Sequence, residues 1–267
     1  MAVVLGTKLK EPNMDPVLPW YTNADAPVQP GHGLGCRRHL GANPFPRMGA
    51  HHLALMAAPV TVNHRLDLPR QYIPKYDQGA EGACVGFAWS WAMSILNRRF
   101  YAARKLYLET QFVDPYSDTP PEEGTSVVSA AQVLQLQGHW RFARGITFPL
   151  AAREGIQDFR SARSIDELRL AISLGVPVVL GIDWLSNFDS PVWGDFGAGG
   201  NRWWIGRGNL GSIRGGHAIC LFGARDDIEA FVLVNSWGLN YPIVHIPYNT
   251  VAQLLSDGGE AIIPVDR

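Results

Sequence analysis

From Cys84 onward the run CVGFAWSWAMSILN is apolar or small at almost every position, and whatever the chain folds into has to bury it. A segment that is apolar around most of a helical circumference belongs in a core. Residues 85–105 therefore read as one long helix rich in apolar contacts, with Cys84 at or just before its amino terminus. Aligned peptide dipoles and N–H groups at that end favour a thiolate, so Cys84 is expected to be more acidic than Cys36 or Cys220.

A second helix is predicted around Ser126–Gln137, after the turn-forming string PPEEGTS, and a third around Ser164–Leu174, where Ile165, Leu168 and Ile172 share a face. The later chain changes character. VPVVLGID, HAICLFGA, AFVLVNSW and IVHIPY read as strands, with the acidic ARDDIEA as a hairpin turn between the second and third. Helices first and mainly antiparallel strands afterwards make an α+β class, with a cleft between the two parts as the place for chemistry.

The first sixty residues differ from the rest, being dense in Pro, Gly and His. Such punctuation opposes regular helices and strands, so 1–60 reads as an extension and 61–267 as the folded domain. The extension is expected to brace the domain or to bind a protein partner, with a removable inhibitor of the cleft and simple disorder as the alternatives, and its histidines His32, His39, His51 and His52 lack metal-site spacing. Charged residues make up 18% of the chain and the formal net charge is -1, which argues against nucleic acid as the main partner. No uninterrupted apolar run reaches membrane-spanning length, and the amino terminus lacks the pattern of a secretory signal. Three cysteines leave at least one without a partner in a monomer, so a cytoplasmic or other reducing compartment is expected.

In DQGAEGACVGFAWS, Gln78 precedes Cys84 by six positions. GGHAICLF then supplies His217, 133 residues after the cysteine, and VNSWG supplies Asn235. These strings, in this order, resemble the papain-like cysteine peptidases, whose histidine and asparagine follow the cysteine by about 130–150 residues. The resemblance covers approximately residues 65–260. It implies a papain-like two-lobed α+β fold, with a helical lobe packed against an antiparallel β-rich lobe and the active site between them.

On that resemblance Cys84 is the nucleophile, His217 its base and acid, and Asn235 the residue that orients the imidazole. Gln78 and the Cys84 backbone N–H would form the oxyanion hole, and Gly124 in EEGTSV would be the edge a substrate backbone approaches. Trp237 would shelter the asparagine–histidine hydrogen bond from water. The implied activity is thiol-dependent hydrolysis of a peptide or isopeptide bond in a peptide or protein substrate, with no cofactor, metal or membrane. An inactive structural or binding module on the same scaffold and an acyl or peptidyl transferase are the alternatives. Two positions depart from the family: Glu81 stands where a disulfide cysteine is common, and Val85 where tryptophan usually follows the nucleophile. Cys220, three residues beyond His217, is expected to face the core from the other side of its strand. Trp193, Trp203 and Trp204 are either a wall for the substrate or pins for a glycine-rich connection.

Overall fold

The structure, a computed structural model, describes residues 34–38, 61–66, 76–115, 124–141, 152–197 and 199–265. The predicted boundary at residue 60 and the histidines His32, His39, His51 and His52 lie outside the described residues.

Helix α1, Cys84–Asn97, is buried from Cys84 through Ile95, as its composition demands. It is shorter than the helix expected over 85–105 because Arg98 turns left-handed at φ 54° and donates its N–H to the Ser94 carbonyl. That cap ends the helix. The chain resumes as α2, Ala103–Gln111, which lies so close to α1 that a Cβ on Gly86 would meet the Ala103 carbonyl at 2.5 Å. Helix α3, Val127–Leu136, starts where Ser126 accepts a hydrogen bond from the Ser129 N–H, and Trp89 of α1 donates its indole N–H to Val127 at 2.9 Å. Helix α4, Ile165–Ser173, is opened by a reciprocal capping box between Ser164 and Glu167.

A nine-stranded sheet forms the other part. Strand β1 is Asn63–Arg65; β2, His139–Trp140, pairs separately with β3, Arg153–Glu154. Next come β4, Asp158–Ala162, and β5, Val178–Leu185, then β6, Val192–Gly194, and β7, Arg202–Trp204, two short strands within the glycine- and tryptophan-rich connection. Strand β8, Ile213–Arg225, forms the predicted hairpin with β9, Ala230–Val234, and β10 is Val244–Pro247. Helix α5, Tyr248–Ser256, and strand β11, Glu260–Val265, finish the domain. The order is β4-β11-β5-β8-β9-β10-β7-β6 with β1 against β8, and every pairing is antiparallel except β10 with β7.

Alternation along β8 divides the core in two. Ala218, Cys220 and Phe222 pack with α1, α2 and α3, whereas Ile219 and Leu221 pack with α4, α5 and Trp237. Cys220 thus faces the helices from the buried sheet surface, as its spacing from His217 predicts. The fold is α+β, a helical cluster against a mixed sheet in a two-lobed papain-like arrangement, and β8 is the strand they share.

Residues 34–38 lie on the domain in strand-like pairing. Cys36 forms a parallel bridge with Thr125, and three backbone hydrogen bonds hold it: Thr125 N–H to Gly35 O at 2.8 Å, Arg37 N–H to Thr125 O at 2.9 Å, and Cys36 N–H to Gly216 O at 3.0 Å.

Candidate active site

Cys84 opens α1 with no side-chain cap ahead of it, and its side chain is fully buried. The backbone N–H groups of Ala218, Gly35 and Val85 lie near its sulfur and favour the thiolate. Ala218 directly follows His217 on β8, so the thiol meets the sheet beside the histidine. Burial nevertheless pushes the Cys84 thiol up to about 11, and those N–H donors offset only part of the desolvation. The expectation of a depressed value is corrected in this arrangement: the helix start is present, but Gly35 and the surrounding core exclude the water a thiolate needs. Cys36 and Cys220 are raised as well, chiefly by desolvation.

His217 Nε2 lies 2.8 Å from Asn235 Oδ1, and the same oxygen accepts the Ser236 N–H at 2.7 Å. The Ser236 N–H can only donate, which identifies this atom as the amide oxygen and requires His217 to carry its proton on Nε2. Nδ1 is then the basic nitrogen. Three side chains enclose the pair: the Trp184 ring is 4.6 Å from the imidazole centroid, Trp237 is 5.1 Å from it, and Tyr241 packs on Trp237. A hydrogen bond in such a dry surround is strengthened by the low local dielectric.

Gln78 is buried just ahead of α1, its Nε2 donating to the Glu81 carbonyl at 2.8 Å and its Oε1 accepting from Ser236 Oγ at 2.5 Å. An isolated bridge between Asp77 and Trp237 brings this loop to the Asn235–Ser236–Trp237 segment. Gly238 helps, because at φ 69° it lets Asp77 come within 2.8 Å of where a Cβ would stand. The four residues Gln78, Cys84, His217 and Asn235 therefore converge where α1, β8 and the end of β9 meet.

Gly124, at φ 109°, has the Gly35 carbonyl 2.2 Å from the position its Cβ would take. The backbone that approaches this edge is that of residues 34–38, whose Gly35 carbonyl accepts the Thr125 N–H at 2.8 Å. Glu81 is half-buried against Arg104 at 2.8 Å, a noncovalent tie from the loop to α2, and Val85 is buried. Trp204 is buried, whereas Trp193 and Trp203 are 54% and 38% exposed and pack against each other at a tilt, centroids 5.2 Å apart. Because β7 is separated from β8 by β9 and β10, these rings sit away from Cys84 in the sheet order.

The sequence did not point to Ser236, Trp184 or Gly35. Ser236 was legible only as part of VNSWG, Trp184 stands at the end of an ordinary apolar strand, and Gly35 is one glycine among many. Among the described residues no helix is long and apolar enough to cross a membrane, and no group of three or more His, Cys, Asp and Glu side chains gathers as a metal site would.

No family model matches the sequence, and no curated protein sequence matches it. Solved structures do match. Xylellain, a cysteine protease from Xylella fastidiosa, is 18% identical over 88% of this chain and 97% of its own, with a TM-score of 0.62. Procathepsin B S9 from Trypanosoma congolense is 12% identical over 88% of this chain and 87% of its own, at a TM-score of 0.56. The Carica candamarcensis cysteine protease CMS1MS2, solved in complex with E-64, is 15% identical over 78% of this chain and all of its own, at a TM-score of 0.52. With the helical cluster, the shared central strand and these likenesses together, the chain has the papain-like cysteine-protease fold.

Proposed function

We propose that the protein hydrolyses peptide or isopeptide bonds through an acyl-enzyme on Cys84. The observation that carries this reading is the doubly anchored Asn235 Oδ1, which commits His217 to a proton on Nε2 and a basic Nδ1. Cys84 loses its proton to Nδ1 and its sulfur bonds to the substrate carbonyl carbon. The oxygen that takes the negative charge is stabilised by the Cys84 backbone N–H and Gln78 Nε2. His217 then gives its proton to the leaving amine as the carbon–nitrogen bond breaks, leaving a thioester. Water, deprotonated by the same nitrogen, attacks the thioester and releases the acid and the thiol.

Turnover requires residues 34–38 to leave the cleft, because the Gly35 N–H lies near the sulfur and the Cys36 N–H is bonded to the Gly216 carbonyl. Burial of the thiol equally favours the rival reading of an inactive binding module. Labelling separates the two. E-64 is a ligand of a protein with this fold. Covalent addition of E-64 or iodoacetamide to the folded protein, mapped by peptide mass to Cys84, supports hydrolysis; labelling of Cys84 only after unfolding removes it.

A further inference from the structure

We propose that the recess beside Cys84 bounded by Asp183, Glu260 and Gly258 receives a basic side chain of the peptide substrate, and that Arg38 is its resident occupant. This rests on the reading of the cleft as a peptide-binding site. The sheet register assembles the recess. Gly181 and Asp183 are two apart on β5 and share a face; Glu260 of β11 pairs with Gly181, and Gly216 of β8 pairs with Asp183. Two carboxylates and two glycines from three adjacent strands thus line one patch of the cleft, with no basic residue of the sheet among them.

The glycines provide the room. A Cβ on Gly181 would stand 2.8 Å from the Cys36 sulfur, one on Gly216 would stand 1.8 Å from the Cys36 carbonyl, and one on Gly258 would stand 2.5 Å from Nη1 of Arg38. Arg38 lies over the Gly258 backbone and reaches Asp183 with Nη2 at 2.6 Å. Its side chain is 55% exposed while Asp183 is 22% exposed, so the carboxylate is the fixed wall and the guanidinium the visitor. A cavity of about 90 Å³ remains between Cys36, Arg37, Arg38, Asp183, Gly216 and Glu260, so both cations that line it belong to the arm.

Distance relates the recess to the chemistry. Gly35 lies near the sulfur and Arg38 is three residues further on. In extended chain that is about 10 Å, the reach of a side chain two or three positions from a scissile bond. A lysine or arginine there would exchange with Arg38 for the same carboxylates.

The test uses the full chain carrying Arg38→Glu, which repels the arm's own side chain from the recess. Binding of acetyl-Gly-Gly-Arg-Gly-amide is compared by titration with that of its norleucine counterpart. The arginine peptide is expected to bind about tenfold more tightly, the worth of one charge-assisted contact, and the preference is expected to vanish when Asp183→Asn and Glu260→Gln are added. Equal binding of the two peptides, no binding of either, or a preference that survives removal of both carboxylates overturns the proposal. Iodoacetamide labelling of Cys84 is followed on the same samples. An inert Cys84 with the arginine preference intact removes the hydrolase reading and keeps the recess; a reactive Cys84 without the preference does the reverse.

Discussion

Ser236 donates its hydroxyl hydrogen to Oε1 of Gln78 at 2.5 Å, and the Gln78 backbone N–H returns a bond to the Ser236 carbonyl at 2.9 Å. The loop ahead of Cys84 and the segment bearing Asn235 are thereby held at two points. The Ser236 N–H also reaches Asn235 Oδ1, so one residue fixes both the amide that would face an oxyanion and the amide that holds the histidine.

Gln78→Ala is expected to lower turnover of a peptide substrate by about a hundred- to a thousandfold, the usual cost of one oxyanion donor. Ser236→Ala leaves Gln78 in place but less firmly aimed, and a loss of about tenfold in kcat with little change in KM is expected. Ser236→Thr should recover most of it. A Ser236→Ala enzyme with unchanged kcat would show that the clamp is purely structural.

Cys84→Ala removes the attacking atom and should abolish turnover with the melting temperature nearly unchanged. Asn235→Ala should retain measurable activity, because His217, still packed by Trp184 and Trp237, reaches a productive orientation part of the time. Equal losses in the two variants, with both folded, would contradict this division of roles.

With the cleft covered, burial raises Cys84 to about 11 from an ordinary 9.0. Its alkylation rate should climb about tenfold per pH unit above neutrality, since only the thiolate reacts, and level off near pH 11. The linked stability has a definite sign. The unfolded thiol releases its proton first, so the contribution is fully present below pH 9 and is lost as pH rises through about 11. An alkylation midpoint below pH 8 on the intact full-length chain would contradict the burial.

Much of this site was legible because its parts are local strings: Cys84 at the head of an apolar run, His217 in a strand, Asn235 in VNSWG. Capping also reads locally, and the helices at Val127 and Ile165 begin where Ser126 and Ser164 stand. What escaped depends on distant backbone. The break at Arg98 is a left-handed cap on a residue with no turn signature, and the closeness of Gly35 to Cys84 joins a loop-like arm to a helix it does not resemble. Strand β11 supplies Glu260 to the recess only through pairing with β5, a register that no short string announces.

His139 is buried against helix α1, its Nε2 2.7 Å from Ser90 Oγ and its ring stacked on Tyr101. Desolvation, aided by Arg153, depresses its pKa from 6.5 to about 3. The unfolded state therefore binds more protons in between, and the stability from keeping this ring neutral is present above pH 6.5 and lost as pH falls through about 3. Melting temperature should decline on acidification below pH 6.5, and His139→Gln should flatten that decline while lowering stability at neutral pH. An identical acid limb in the variant would assign the effect to other groups.

Residues 34–38, part of the extension over 1–60 expected to cover or brace the domain, are tied to Thr125 and Gly216 by three backbone bonds. They also cover Cys84, with the Gly35 N–H near its sulfur. A chain beginning at Val60 should therefore melt at lower temperature and react faster with iodoacetamide at Cys84, as returning water brings the thiol down from about 11. Gly35→Ala tests the same contact without shortening the chain: its Cβ would stand 2.1 Å from the Gly82 carbonyl, too close for the arm to remain seated. Both proteins should show faster Cys84 labelling than the full-length wild type in one buffer. If the shortened chain loses stability but neither protein labels faster, the arm is a brace alone; if both are unchanged in labelling and melting, the contact is absent in solution.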